Sequence, residues 1–422
     1  MTTTAGMLPL DGLEQGVRVL LTAGRCAVGA GGPEALRREL AAVDDFPALL
    51  ATARAHGLTG TLCKVALAQA TDELPAAVAD EYRTLRRGIA HRALAMSRGL
   101  LRVLAVLQQA GVRALAYKGP ALSEGVYGDV AVRSWCDLDL IIVDADVPTA
   151  RQALEAAGFV PHRGGARLGA DMTTSEQELG LHHRDTGLAI DLHWRVGLRF
   201  AGASLDGADL LRRAVPGEVL ERPVLVPSAP DVALLCSLHG AAHTWPSLDL
   251  VLSTALALQA LDDDQATVLE DVGRRGGCAR RAHIGALLSR SLVGARVPRP
   301  ALLPAVADRR AGRLAADAGA RLLWREAVQD QRSVRRRHRP REHAAEVRWQ
   351  LGSLDSPAAA AAHAWERLLR PGALDTGGPP REQPYAAYAA KPDDEGARFE
   401  PARAGRAQML RAAVRRQLRI WR

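Results

Sequence analysis

Apolar residues recur at helical spacing through the first 112 positions. The pattern predicts helices over 13–22, 34–42, 46–55 and 62–68, separated by Gly, Pro and Asp. Leu85, Ile89, Leu94, Leu100, Leu104 and Leu107 then mark one long helix after Pro75. Near residue 113 the period changes. Residues 114–117 read as a short buried strand, and Lys118-Gly119-Pro120 as a tight turn into a helix that carries Leu122, Val126 and Tyr127 and stops near Gly128-Asp129. A second strand covers 136–143, a helix covers 147–158, and Phe159-Val160 opens another strand. Residues 178–184 and 188–194, joined by Asp185-Thr186-Gly187, read as a β-hairpin. Helical spacing returns over 231–293 and can continue over 301–327. The resulting fold class is α+β, a small mixed-sheet core flanked by N- and C-terminal helical regions. The expected division is 1–112 helical, 113–215 α/β core, 216–330 helical and packed on the core, and 331–422 an arginine-rich, partly disordered tail.

The second strand, Cys136-Asp137-Leu138-Asp139-Leu140-Ile141-Ile142-Val143, places two acids ahead of an apolar run. Side chains alternate along a strand, so Asp137 and Asp139 share a face, about 7 Å apart along the chain. In the later strand, Leu188, Ile190 and Leu192 take one face, while Asp191 and His193 take the other. If the two strands pair, three carboxylates converge, an oxygen-rich set suited to Mg²⁺ or Mn²⁺ holding a nucleoside triphosphate. The competing reading is three solvated edge acids paired with arginine. The buried character of 140–143 argues against it, because a buried strand seldom opens on unpaired acids.

Lys118-Gly119, Tyr127, Arg133, Asp137-Leu138-Asp139-Leu140 and Asp191-Leu192-His193-Trp194 resemble the uncharacterised bacterial nucleotidyltransferases of the polymerase-β-like superfamily. The likeness reaches over roughly residues 40 to 290, with 49–64 and the helix ending at Gly111 upstream, and Leu234-Leu235, His239, His243 and Trp245 downstream. It implies metal-dependent nucleotidyl transfer with release of pyrophosphate. Asp137, Asp139 and Asp191 would be both metal ligands and catalytic residues, Asp191 drawing the proton from the acceptor hydroxyl. Gly119 would let phosphate approach the backbone, and Lys118 and Arg133 would neutralise its charge. Two positions depart from the pattern. Pro120 stands where the wider superfamily places Gly or Ser, and it offers phosphate neither an N–H nor a hydroxyl. Ser253 stands where the following helix is expected to hold an acid.

Composition adds less. The net charge of +8 and pI near 9.7 follow from an arginine-heavy sequence, though an acidic partner would produce the same demand. Five widely spaced cysteines without a C-x-x-C pair suggest neither a disulfide framework nor a zinc site. His239 and His243 sit at i and i+4, but the glutamate of a zinc helix is absent from Gly240-Ala241-Ala242. No signal peptide or membrane span is evident, so the expected compartment is the cytoplasm. The loop 163–175 reads as a lid or a loose connection. Six arginines within 332–341 and seven in the last twenty residues, with Leu410, Val414, Leu418 and Trp421 forming an apolar stripe, suggest contact with a protein or nucleic acid. Three function classes remain open: a nucleotidyltransferase acting on a small molecule, peptide or protein; a catalytically weak nucleotide- or partner-binding module; and an RNA-binding or RNA-modifying protein.

Overall fold

The computed structural model describes residues 7–133, 135–161, 177–198, 203–323, 340–358 and 360–361. The loop 163–175 and the basic stripe at 410–421 lie outside these residues, as does the 332–341 run through residue 339.

Four short helices, α1 (Gln15–Ala27), α2 (Pro33–Ala41), α3 (Phe46–Ala55) and α4 (Thr59–Gln69), precede the long α5 (Ala76–Gln109). All five lie where the apolar periodicity puts them. Then come β1 (Leu115–Ala116), α6 (Gly119–Tyr127), β2 (Asp137–Ile141), α7 (Val147–Ala156), β3 (Phe159–Pro161), β4 (Glu178–His183) and β5 (Ala189–His193). The hairpins β6–β7 (Arg195–Leu198, Ala203–Asp206) and β8–β9 (Val215–Val219, Arg222–Val226) flank α8 (Gly207–Arg212). Helices α9 (Ala229–Ala242), α10 (Leu248–Gln259), α11 (Asp263–Arg275) and α12 (Ala279–Val293) follow. The last described are α13 (Arg299–Ala307), α14 (Arg309–Leu323) and α15 (Pro340–Gly352).

The sheet order is β1-β2-β5-β4-β3. Only the β2–β5 pair is parallel; the other three pairs are antiparallel. The mixed pairing follows from the connections, since β4 and β5 are joined by a tight turn whereas β2 reaches β5 through a helix and two strands. Alternation gives the sheet two different faces. Leu138, Leu140, Ile190 and Leu192 are buried in one core with Leu100, Val103 and Leu107 of α5 and Ala150 and Leu154 of α7. On the opposite face, Leu115, Tyr117 and Ile141 join the larger core built by the N- and C-terminal helices. Asp137, Asp139, Asp191 and His193 fall on this second face, and α9 and α10 stand over part of it.

The start of α12 is tied to the chain just past α15. Asp355 accepts from the backbone N–H of Ala279 and Arg280 at 2.9 and 2.8 Å, capping the first turn of α12, and Arg281 donates to Ser353 at 3.1 Å. Among the described residues, no helix is long and apolar enough to cross a membrane.

Candidate active site

Lys118, two residues past β1, is extended at the N-cap of α6, and Gly119 takes φ +62°, a left-handed conformation costly to any residue with a Cβ. Pro120 then enters the first turn of α6, where a missing N–H costs nothing. This reversal leaves the Lys118 side chain over the sheet, with Nζ 2.8 Å from Asp139 Oδ1.

β2 and β5 pair in a register that sets Asp139 beside Asp191 and Ile141 beside His193. The same carboxylate oxygen of Asp139 lies 3.0 Å from His193 Nε2 and accepts from the Tyr117 hydroxyl at 3.4 Å. Across the hairpin, Gly180 pairs with Asp191 and Glu178 with His193. Gly180 sets no side chain beside Asp191, and Glu178 Oε2 comes within 3.4 Å of His193 Nδ1. The Tyr117 ring stands edge-on to His193 at 5.4 Å between centroids. Ligand atoms of Asp139, Asp191 and His193 all lie within 4.8 Å of one another. Asp137 sits on the same face two residues earlier along β2, outside this tight group.

The electrostatics divide the acids. Burial alone would raise the Asp139 carboxyl, but the ammonium of Lys118 and the imidazole of His193 hold it well below the usual range. Asp139 therefore stays ionised. Burial, reinforced by the charge of Asp139, pushes Asp191 up to about 6 and also raises Asp137. Burial opposes the charge on Lys118, yet Asp139 beside it keeps the ammonium charged.

Arg133 is delivered by a short 3₁₀ turn, Val130–Val132. Asp129 caps that turn through Ala131 N–H at 2.8 Å and is held by Lys64 at 3.0 Å and Arg86 at 3.3 Å. The Arg133 guanidinium meets Asp249 of α10 at 2.5 Å and lies 5.8 Å from the Tyr127 ring centre. Burial raises the Asp249 carboxyl, while the carboxylate charge, working against burial, raises Arg133; at this separation the pair remains ionic. Tyr127 and Ser253 hydroxyls are 2.8 Å apart, and Ser253 donates to the Asp249 carbonyl. Asp249 is an acid one turn before Ser253 on the same helix.

Tyr117, Lys118, Gly119, Arg133, Asp137 and Asp139 line one side of a cleft, and Leu235, Cys236, His239, Leu250 and Ser253 of α9 and α10 line the other. Its enclosed volume is about 120 Å³, below the ~300 Å³ of sites that bury a whole small ligand. A nucleotide seated there would leave part of itself in solvent. Burial, with the nearby Lys118 charge, holds His239 well below its usual range, and burial pushes the Cys236 thiol up to about 12. His239 is therefore uncharged and Cys236 no nucleophile at neutral pH. A second hollow between Arg113, Val143, Ala208 and Arg212 touches none of Asp137, Asp139 and Asp191.

Lys118, Gly119, Arg133, Asp137 and Asp139 line one cleft, and the strand pairing sets Asp191 beside Asp139. His193 and Tyr117 were missed as site residues. The sequence signal for His193 is its i+2 spacing from Asp191, which places both on one strand face. Tyr117 carried no signal beyond a buried aromatic next to Lys118.

Residues 43–294 match the sequence model of a family described as uncharacterised nucleotidyltransferase, which spans every residue of this cleft. No curated protein matches the chain.

Proposed function

The chain belongs to the uncharacterised nucleotidyltransferase family, and from that premise we propose that it transfers a nucleoside monophosphate from a triphosphate to a hydroxyl or similar acceptor. The acceptor would belong to a small molecule, a peptide or a protein. One observation carries the reading: the parallel pairing of β2 with β5 sets Asp139 beside Asp191 with His193 at hand.

Those residues suit a divalent cation, since two carboxylates and an imidazole converge without steric obstruction from Gly180. Asp139, Asp191 and His193 would hold it, with Asp137 two residues earlier on β2. A bound cation supplies charge neutralisation at the triphosphate and acidifies the acceptor hydroxyl. Asp191 stands on a strand separate from Asp137 and Asp139 and takes the acceptor's proton as the oxygen attacks the α-phosphorus. Lys118 and Arg133 offset the charge that builds on the leaving pyrophosphate. Gly119 permits close approach of phosphate to the backbone, although Pro120 supplies no N–H there.

In this reading the base rests against Leu235 and Leu250, which line the cleft between the sheet and α9–α10. With the base there, the acceptor enters from the Asp191 side. The test is transfer from NTPs labelled at the α or the γ phosphorus, with small-molecule and protein fractions as acceptors. Acid-stable label from the α position alone, lost in Asp139→Asn and Asp191→Asn proteins, is the expected result. Transfer from the γ position would make this a kinase-like reaction and overturn the reading.

A further inference from the structure

We propose that the cation site is built around the Nε2 atom of His193, with Asp139 and Asp191 as carboxylate partners, and that this nitrogen makes the site favour Mn²⁺ over Mg²⁺. The inference deepens the reading above by naming the class of metal, and it rests on that reading only in sharing its site.

The imidazole is fixed before any ligand arrives. Glu178, paired directly across the hairpin, puts a carboxylate oxygen 3.4 Å from Nδ1, and Tyr117 packs edge-on against the ring. With its Nδ1 side turned to Glu178, the ring would offer Nε2 to a bound cation. Nε2 lies within hydrogen-bond distance of Asp139 Oδ1, at 3.0 Å, with Asp191 inside the same 4.8 Å group. A cation bound there would take the place of the hydrogen-bonding proton between Nε2 and Asp139 Oδ1, beside the Lys118 ammonium 2.8 Å from that oxygen. A carboxylate orienting a histidine whose second nitrogen meets other carboxylates is the arrangement that metal-bound histidines adopt.

The donor set then decides the metal. Mg²⁺ prefers an all-oxygen octahedron and keeps its waters, so an imidazole in the donor set disfavours it. Mn²⁺, though the weakest of the first-row transition ions for such sites, exchanges its waters for imidazole more readily than Mg²⁺ does. Histidine on the Asp191 face is thus a selectivity element. Asp137, farther along β2, keeps oxygen donors available for the triphosphate's own cation.

The full chain, stripped of metal and given one equivalent of Mn²⁺ without nucleotide, is examined by electron spin echo envelope modulation. Coordinated imidazole leaves ¹⁴N modulation on the Mn²⁺ signal. The wild type is expected to show it, His193→Gln to lose it, and His239→Gln, altered in the same cleft, to keep it. Calorimetry should give Mn²⁺ an affinity roughly tenfold or more above Mg²⁺, and His193→Asp should bring the two within about threefold. Circular dichroism confirms that each variant is folded. Bound Mn²⁺ without ¹⁴N modulation, modulation that survives in His193→Gln, a metal preference unmoved by His193→Asp, or no saturable Mn²⁺ binding by the folded chain would each overturn the proposal. No nucleotide enters these measurements. A chain that binds Mn²⁺ through His193 and yet transfers no nucleotide would therefore refute the functional reading alone.

Discussion

At the scale of single residues, Asp139 is the hub. Its Oδ1 atom receives Lys118, His193 and Tyr117, so a cation can reach it only by sharing or displacing Lys118. Removing one partner of a buried pair leaves the other charge uncompensated, at a cost of about 3–5 kcal/mol. A Lys118→Met protein should accordingly melt several degrees below wild type without metal and regain most of that loss in saturating Mn²⁺, because a ligand that binds only the folded state stabilises it. An unchanged melting temperature without metal would show that the ammonium does not neutralise Asp139. Three of these four residues, Lys118, Asp139 and His193, are visible in the sequence as charged or titratable side chains at rare spacings. Their convergence on one oxygen is not, since it depends on which strands pair and in what register.

At the scale of elements, β2 and β5 were legible as strands from their alternation, and the hairpin turn Asp185-Thr186-Gly187 announced itself. The β8–β9 hairpin was not legible. Leu220 and Glu221 form its turn at φ 51° and 59°, conformations that two-residue turns usually assign to Asn and Gly. Nothing in a Leu-Glu pair signals that. Arg133 was readable as a cation near the acids, but its ion pair with Asp249 joins positions 116 apart in sequence. The turn that delivers Arg133 rests on α4, where a Cβ at Gly60 would collide with the Val132 carbonyl. Gly60→Ala should therefore displace the 130–132 turn, cost about 1–3 kcal/mol, and weaken nucleotide binding while the acids remain in place. Titration of nucleotide against this variant checks the claim; unaltered affinity with lowered stability would detach Arg133 from the site.

At the scale of the whole molecule, the helices after the sheet carry their own buried charge cluster. His283 on α12 lies 3.1 Å from Glu270 of α11 and 3.4 Å from Asp308, which also pairs with Arg280 at 3.0 Å. Burial works against a charged imidazole, but the two carboxylates outweigh it and push His283 up to about 9. Its unfolded value is about 6.5. The raised value means the folded state holds the proton more tightly. The stabilisation is fully present below pH 6.5 and is lost as pH climbs through 9, up to about 3 kcal/mol. Urea midpoints at pH 6 and 9 should fall more for wild type than for His283→Gln; parallel declines would show that His283 titrates as it does in the unfolded chain. The helical character of this region was readable from periodicity, whereas the cluster joining three of its segments was not.

The central claim is that the paired strands form a cation-dependent nucleotide site, and calorimetry tests it most directly. The full chain is titrated with ATP, GTP, CTP and UTP analogues that resist α–β cleavage, with and without Mg²⁺ or Mn²⁺, beside Asp139→Asn. Saturable binding of at least one nucleotide that requires the cation and disappears in Asp139→Asn is the result the account predicts. Binding that needs no cation, or that survives in Asp139→Asn, would contradict it, as would the absence of binding to a folded wild-type chain.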